Sequence, residues 1–224
     1  MRDCLIVIPT RGRHLKLGLL LDQIDATREA DTDVLVVGDG DDEPLILKRR
    51  PWLTTAVGPR AWLTPKLNRA LVPAARAYSA VGWLADDCWP ETPGWDALLL
   101  DALERSPGIA YPDSNRRPGF PEHQLISSEI IRALGWYFEP SLRHYCTDNV
   151  WEDIGTVAGC LHYVKDAVVR HDHYEVTGGP RDETYVQAEV NGRVDRELYV
   201  LWRSRRLARD AETVRQAIDK STKA

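Results

Sequence analysis

Asp86 and Asp87 stand side by side just past the apolar run 81–85. Two carboxylates that close repel one another unless a cation lies between them, so the pair points to a metal. His171 and His173 flank Asp172. On an extended segment both imidazoles face one side and Asp172 the other, which suits a metal or a phosphate. Carboxylate oxygens mixed with one imidazole favour Mn²⁺, whereas oxygen ligands alone favour Mg²⁺. Two further polar clusters, Pro9-Thr10-Arg11-Gly12-Arg13 and Gly38-Asp39-Gly40-Asp41-Asp42, also follow short β-branched runs. An acidic turn is commonplace by itself. Three polar clusters at strand ends carry more weight, because ligands collect at the carboxyl ends of an open parallel sheet. The four cysteines, Cys4, Cys88, Cys146 and Cys160, form no CxxC pair. Neither a zinc knuckle nor a disulfide scaffold is signalled, and a reducing cytoplasm is the expected home.

The elements that position these residues are legible in the chain's rhythm. With 224 residues, 43% apolar and 28% charged, the composition fits one large globular domain or a core with appendages. The net charge of −5 does not favour polyanions, so nucleic acid is not the default partner. No apolar run approaches the ~20 residues that cross a bilayer. Strands are expected at 4–8, 34–37, 53–57 and 81–85, each short and apolar. Between them come a helix with Leu15, Leu19, Leu20 and Ile24 on one side, a weak helix after the acidic turn, and an Ala-rich helix over 66–80 disturbed by Pro73. A further helix spans 93–103. Alternation of this kind predicts an α/β fold with a mostly parallel sheet and helices on both faces.

From residue 109 the rhythm changes. The proline-rich 111–122 segment reads as an extended surface loop, followed by a strand at 124–127 and a short helix at 128–134. A helix over 149–157 has Asn149 and Glu152 spaced as a capping box, and 161–169 reads as a hairpin turning at Lys165-Asp166. The tail 181–218 is charged and helix-forming, interrupted near Asn191-Gly192. Its Arg203, Arg205, Arg206 and Arg209 read as a solvated helix face ahead of a phosphate-binding patch. Eight Trp against two Phe suit a core before they suit sugar or base stacking.

Several of these segments together carry a resemblance. Ile6-Val7-Ile8-Pro9-Thr10-Arg11-Gly12-Arg13, Val36-Val37-Gly38-Asp39-Gly40-Asp41, Lys66-Leu67-Asn68-Arg69-Ala70, Leu84-Ala85-Asp86-Asp87-Cys88-Trp89-Pro90 and Gly94-Trp95-Asp96 occur in the order and spacing of family 2-like glycosyltransferases of the GT-A fold. The likeness covers about the first hundred residues, and the compact chain is similar to phage-type members. It implies a GT-A catalytic domain over 1–180, with 1–110 as its nucleotide-sugar half and 111–180 as its acceptor half, and a helical extension over 181–224. It further implies that Pro9, Thr10, Arg11, Arg13 and Asp39 hold the nucleoside and that Lys66 and Asn68 line the nucleotide-sugar pocket. Asp86 and Asp87 take the place of the Asp-x-Asp motif. Ala85 stands where its first Asp is usual, so Asp87 is favoured as the metal ligand, with Asp86 on the nucleotide. His171 or His173 matches a late metal-binding His.

In such an enzyme a divalent cation, Mn²⁺ ahead of Mg²⁺, offsets charge on the departing nucleotide diphosphate. The acceptor hydroxyl loses its proton to a carboxylate when the reaction inverts. Asp148 is the leading candidate for that base, with Glu152 and Asp153 in reserve; helix capping is the competing role for Asp148. Inversion is favoured over retention. The expected donor is a UDP-hexose, and the acceptor a protein, a glycan or a modified nucleic-acid base. The alternatives are a nucleotidyltransferase, which normally shows a glycine-rich loop after the first strand, and an inactive sugar-binding or assembly module on the same fold. No G-x-G-x-x-G follows any strand, which disfavours a dinucleotide-dependent dehydrogenase.

Overall fold

The computed structural model describes residues 2–172, 178 and 183–223. In chain order the elements are β1 (Arg2–Pro9), α1 (His14–Thr27), β2 (Thr32–Asp39), β3 (Leu53–Gly58), α2 (Leu63–Ala74), β4 (Tyr78–Trp83), β5 (Cys88–Pro90) and α3 (Trp95–Arg105). They continue with β6 (Ile109–Asp113), β7 (Leu125–Ser127), α4 (Ser128–Leu134), α5 (Thr147–Ala158), β8 (Leu161–His171), α6 (Glu183–Arg205) and α7 (Leu207–Thr222). The strands lie in the order β3-β2-β1-β4-β7-β6-β8-β5. β3, β2, β1 and β4 run parallel. β7 turns antiparallel between β4 and β6, while β8 pairs parallel with β6 and antiparallel with β5.

The period of two along β1 distributes its side chains between two core layers. Cys4, Ile6 and Ile8 pack with Leu17, Leu20 and Leu21 of α1 and with α3, whereas Leu5 and Val7 pack with Leu67 and Leu71 of α2 and with α4 and α5. Such a strand reads as continuously apolar because both its faces are covered. This is the α/β architecture expected, with helices on both faces and a helical C-terminal extension.

Where local reading and structure differ, a tertiary partner explains the difference. α1 buries Leu17, Leu20, Leu21 and Ile24, leaving Leu15 81% and Leu19 53% exposed, so its apolar stripe is rotated from the one expected. No helix forms between Asp42 and Pro51. The Ala-rich stretch stops at Ala74, with Pro73 in the last turn, because 78–83 pairs with β1 instead. The proline-rich segment is no surface loop throughout: residues 111–113 close β6, and Phe120 and Glu122 are buried, as are His123 and Gln124 just after it. α5 starts at Thr147 behind a left-handed Cys146 (φ 63°), so Asn149 lies inside the helix and no capping box forms. β8 is one strand rather than a hairpin; its pairing with β6 jumps from Pro112↔Val164 to Asp113↔Val168, so Lys165-Asp166 belong to a bulge. The tail helix runs through Asn191-Gly192 and breaks at Arg206.

Of the eight Trp, six are buried and Trp62 is 43% exposed, so the core reading accounts for most of them. The C-terminal helices share that core through Trp202 and Val214. Their arginines are largely paired, Arg203 with Asp153 (2.7 Å), Arg206 with Glu139 (2.7 Å) and Arg209 with Asp210 (2.9 Å).

Asp96 at the start of α3 fastens the first helix to the second strand. Its buried carboxylate accepts from the backbone N–H of Glu29 (2.9 Å) and Ala30 (3.3 Å) and from the Thr32 hydroxyl (2.6 Å). Asp96→Ala strands these donors away from water, and urea denaturation is expected to register a loss of about 2–3 kcal/mol.

Candidate active site

The loops that leave β1, β2 and β4 converge at one edge of the sheet because the three strands are parallel neighbours. After β2, the buried Asp39 meets Lys66 Nζ at 2.8 Å and Arg11 at 3.5 Å. Arg11 in turn grips the exposed Asp41 through both guanidinium nitrogens (2.7 and 3.3 Å), which raises its own pKa and lowers that of Asp41. Lys66 reaches this point from the first half of α2, where it is largely buried.

The Asp86-Asp87 turn after β4 is built around a guanidinium. Arg13 donates to Asp86 Oδ1 (2.7 Å) and Asp87 Oδ2 (3.3 Å), and the Thr10 hydroxyl donates to Asp86 Oδ2 (2.9 Å). Both carboxylates are buried. Burial raises the Asp86 carboxyl; Arg13 counters this and Asp87 adds to it. On the other side of Asp87, Oδ1 lies 3.5 Å from His171 Nε2, and His171 Nδ1 lies 3.3 Å from Glu122. Glu122 is also 3.1 Å from Arg116. Burial opposes the charged imidazole, yet the two carboxylates prevail and lift His171 to about 9. Burial likewise opposes charge on Glu122, but its bond to His171 and the neighbouring cations bring it down to about 2.

Behind this pair lie Cys88 and His123. Cys88 Sγ is 3.0 Å from His123 Nε2, and the His123 and His171 rings meet edge-on with centroids 5.0 Å apart. Burial, aided by the nearby His171 charge, lowers His123 to about 3 and so keeps it neutral.

Asp148 lies in the first turn of α5 and accepts from Gln124 Nε2 at 2.8 Å. Burial pushes its carboxyl up to about 7; the charge of Glu122 adds to the rise and the Gln124 bond opposes it. The loop before α5 is held from the C-terminal extension, where Asp195 accepts the backbone N–H groups of Arg143 (3.0 Å), His144 (2.9 Å) and Tyr145 (2.8 Å).

The clusters after β1, β2 and β4, with Glu122, Asp148 and His171, open on one cavity of about 590 Å³. Pro9, Thr10, Arg11 and Arg13 face it, with Asp39 and Lys66 on one flank and Asp86, Asp87, Asp148 and His171 on the other. Asn68 does not line it: its amide bridges the 137–138 backbone, accepting from Tyr137 and Phe138 N–H (both 2.8 Å) and donating to Phe138 O (2.7 Å). The reserve Asp153 faces the extension instead, bonded to Tyr199 and Arg203 (both 2.7 Å). His173 lies outside the described residues. Glu122, Arg116, His144 and Trp62 line the cavity without having been singled out from sequence. The signal for Glu122 was the polar triplet Glu122-His123-Gln124 directly before an apolar strand, masked by the prolines around it.

The sequence matches no protein-family model and no curated protein. Solved structures are similar in fold. S. aureus TarS aligns with a TM-score of 0.57 at 11% identity over 75% of this chain and 36% of its own. TarS 1-349 in complex with UDP-GlcNAc aligns at 0.57 and 12% identity over 83% of this chain and 64% of its own. GalNAc-T7 with UDP, GalNAc and Mn²⁺ aligns at 0.56 and 12% identity, covering 75% and 43%. The chain therefore spans between about a third and two thirds of the structures it matches. Both proteins are GT-A glycosyltransferases, and the likeness shows that this chain has the GT-A fold.

Proposed function

We propose that this chain is a glycosyltransferase that binds a nucleotide-diphosphate sugar, with a UDP-hexose as the donor, and transfers the sugar to an acceptor hydroxyl with inversion. One observation carries the reading: a single cavity holds a carboxylate–cation pocket at the end of β2, a carboxylate–imidazole pair at the end of β4, and Asp148 with its carboxyl raised to about 7. The TarS complexes with UDP and UDP-GlcNAc and the GalNAc-T7 complex with UDP and Mn²⁺ support the same reading.

Asp39, Lys66 and Arg11 recognise the nucleoside, and Pro9 and Thr10 form the floor beneath it. Asp87 and His171 are the seat for a divalent cation, Mn²⁺ in preference to Mg²⁺. Their donor atoms, 3.5 Å apart, are near the ~3 Å that adjacent ligands of such an ion adopt. Glu122 on the far ring nitrogen orients the imidazole, as outer carboxylates do for metal-bound His. A cation there supplies Lewis-acid neutralisation of the diphosphate. Arg13 keeps Asp86 and Asp87 together without collapse of the turn.

Asp148 takes the proton from the acceptor hydroxyl as its oxygen attacks the anomeric carbon, while the bond to the diphosphate breaks on the opposite face. A carboxylate with an ordinary pKa is a weak base at neutral pH; raised to about 7, it accepts a proton far more readily. The rim carries Trp62, Arg60 and Tyr145, and an exposed indole is a stacking surface for a sugar or base of the acceptor. In this reading 1–110 supply most of the nucleotide side and 111–180 the base and acceptor side, with Glu122 and His171 as the exception. The extension over 181–224 buttresses the loop before Asp148.

A thermal-shift panel of sugar nucleotides with and without Mn²⁺ tests the reading. A UDP-sugar should raise the melting temperature with Mn²⁺ present, Asp87→Ala should abolish the gain, and slow donor hydrolysis should release UDP. Donor binding without hydrolysis or transfer to any acceptor identifies a binding module instead.

Asp148→Asn should lower kcat by about 10²–10⁴ with donor affinity unchanged. In the wild type kcat/KM should fall tenfold per pH unit below about 7, and in the variant that acid limb should vanish.

The same substitution should stabilise the protein. Between its ordinary 3.8 and about 7, folded Asp148 retains a proton that the unfolded chain has released, so its contribution to stability falls as pH rises through that window. Asp148→Asn is therefore expected to gain about 1–3 kcal/mol at pH ~8 and nothing near pH ~4, read from denaturation at both values.

A further inference from the structure

His171 belongs to two sets of ligands. Toward the cavity stand the oxygens of Asp87 and Glu122. Behind them stand the Cys88 thiol and the His123 imidazole, and one ligand atom from each of Cys88, His123 and His171 falls within 4.8 Å of the others.

We propose that Cys88, His123 and His171 form a second metal seat, selective for thiophilic divalent cations such as Zn²⁺, Co²⁺ and Cd²⁺, and that its occupation withdraws His171 from the Asp87 seat.

The chemistry of the set decides the class of ion. One thiolate and two imidazoles, completed by water or a neighbouring carboxylate, make the tetrahedral sulfur–nitrogen environment of Zn²⁺ and its congeners; Mg²⁺ and Mn²⁺ prefer oxygen. Bond lengths of ~2.3 Å to sulfur and ~2.0 Å to nitrogen put tetrahedral ligand atoms about 3.5 Å apart. Cys88 Sγ and His123 Nε2, now 3.0 Å apart, open by a fraction of an ångström, while the His171 nitrogen, within 4.8 Å of both, closes toward them. Asp87 and Glu122 lie close enough to offset the added charge. On binding, the Cys88 proton and the second ring proton of a charged His171 pass to solvent, and the freed sulfur and nitrogen lone pairs go to the metal; nothing is oxidised or reduced.

The backbone prepares the seat. Cys88 on β5 is the register partner of His171 on β8, so their side chains spring from adjacent positions of one antiparallel pair. His123 is delivered by a left-handed backbone (φ 54°), a conformation uncommon for a residue with a Cβ. Its ring is packed by Trp83, with centroids 5.2 Å apart, and both Cys88 and His123 are buried. His171 alone of the three lines the cavity, so an ion enters past it.

Exclusivity follows from the imidazole. A neutral ring offers one lone-pair nitrogen, and once that nitrogen holds a metal the other carries a proton. His171 cannot serve both seats as a neutral ligand.

The test titrates the full chain with Cd²⁺ while following thiolate-to-metal charge-transfer absorption, with Mn²⁺ present and its free ion measured by electron paramagnetic resonance. The expected result is absorption that saturates at one ion per chain and release of bound Mn²⁺ in step with it. Cys88→Ser should lose the absorption and hold its Mn²⁺ against Cd²⁺. Cys146→Ser, which changes a partly exposed thiol on the wall of the same cavity but outside the triad, should behave as wild type in this titration. His123→Gln should weaken Cd²⁺ by about tenfold or more, a second readout that leaves the thiol in place. Absorption that persists in Cys88→Ser and disappears in Cys146→Ser overturns the proposal, as does saturation with no release of Mn²⁺. The competition arm rests on the Asp87–His171 reading above. If wild-type protein binds no Mn²⁺ at all, that reading fails alone, and the absorption and its loss in Cys88→Ser decide the second seat.

Discussion

Two buried carboxylates in succession are costly to fold around, and the end of β4 is organised to meet that cost. Without cations nearby, Asp86 and Asp87 would repel each other and lose hydration together. Arg13 lies against both, the Thr10 hydroxyl takes a remaining oxygen of Asp86, and His171 approaches Asp87 from the opposite side. The loop after β1, the turn after β4 and the last residue of β8 are thereby bound into one electrostatic unit. The cavity takes its shape from that unit.

A second balance surrounds it. Asp39 is held by Lys66 and Arg11, and Glu122 by Arg116 and His171, so each buried acid facing the cavity from these loops has a basic neighbour. Asp148 differs: its bonded neighbour is the neutral amide of Gln124, and its carboxyl is displaced upward. Paired carboxylates suit the binding of charge, while a carboxylate bonded to an amide, with His171 and Arg117 acting on it only through space, suits the acceptance of a proton. The division of labour proposed for the cavity follows that contrast.

Support reaches the cavity from distant parts of the chain. Asp195 on α6 collects three backbone N–H groups of the loop before α5, and Asn68 on α2 ties down the 137–138 backbone. Asn68 illustrates how a correctly noticed polar residue can serve the wall rather than the ligand. The C-terminal arginines illustrate the same point, since Arg203 and Arg206 are occupied by Asp153 and Glu139.

Much of the half built on β1 to β4 was legible in the residues themselves. Strands buried on both faces must be short, apolar and β-branched, and polar clusters directly after them must gather where parallel neighbours end. Thr10, Arg11, Arg13, Asp39, Asp86 and Asp87 could therefore be named before any coordinates. The second half was less legible because its elements depend on partners far along the chain. Prolines around Glu122 signalled a loop, but pairing of β6 with β7 and β8 buried it; Lys165-Asp166 signalled a turn, but the β6 register absorbed it as a bulge. By itself, then, the sequence determined the parallel layer of β1 to β4 and the polar ends of its strands, since two-sided burial is written in local composition. Only the tertiary structure decided that Asp87, Glu122, His123 and Cys88 meet around His171. That meeting depends on the antiparallel register of β5 against β8 and on the left-handed turn at His123, which no local pattern encodes.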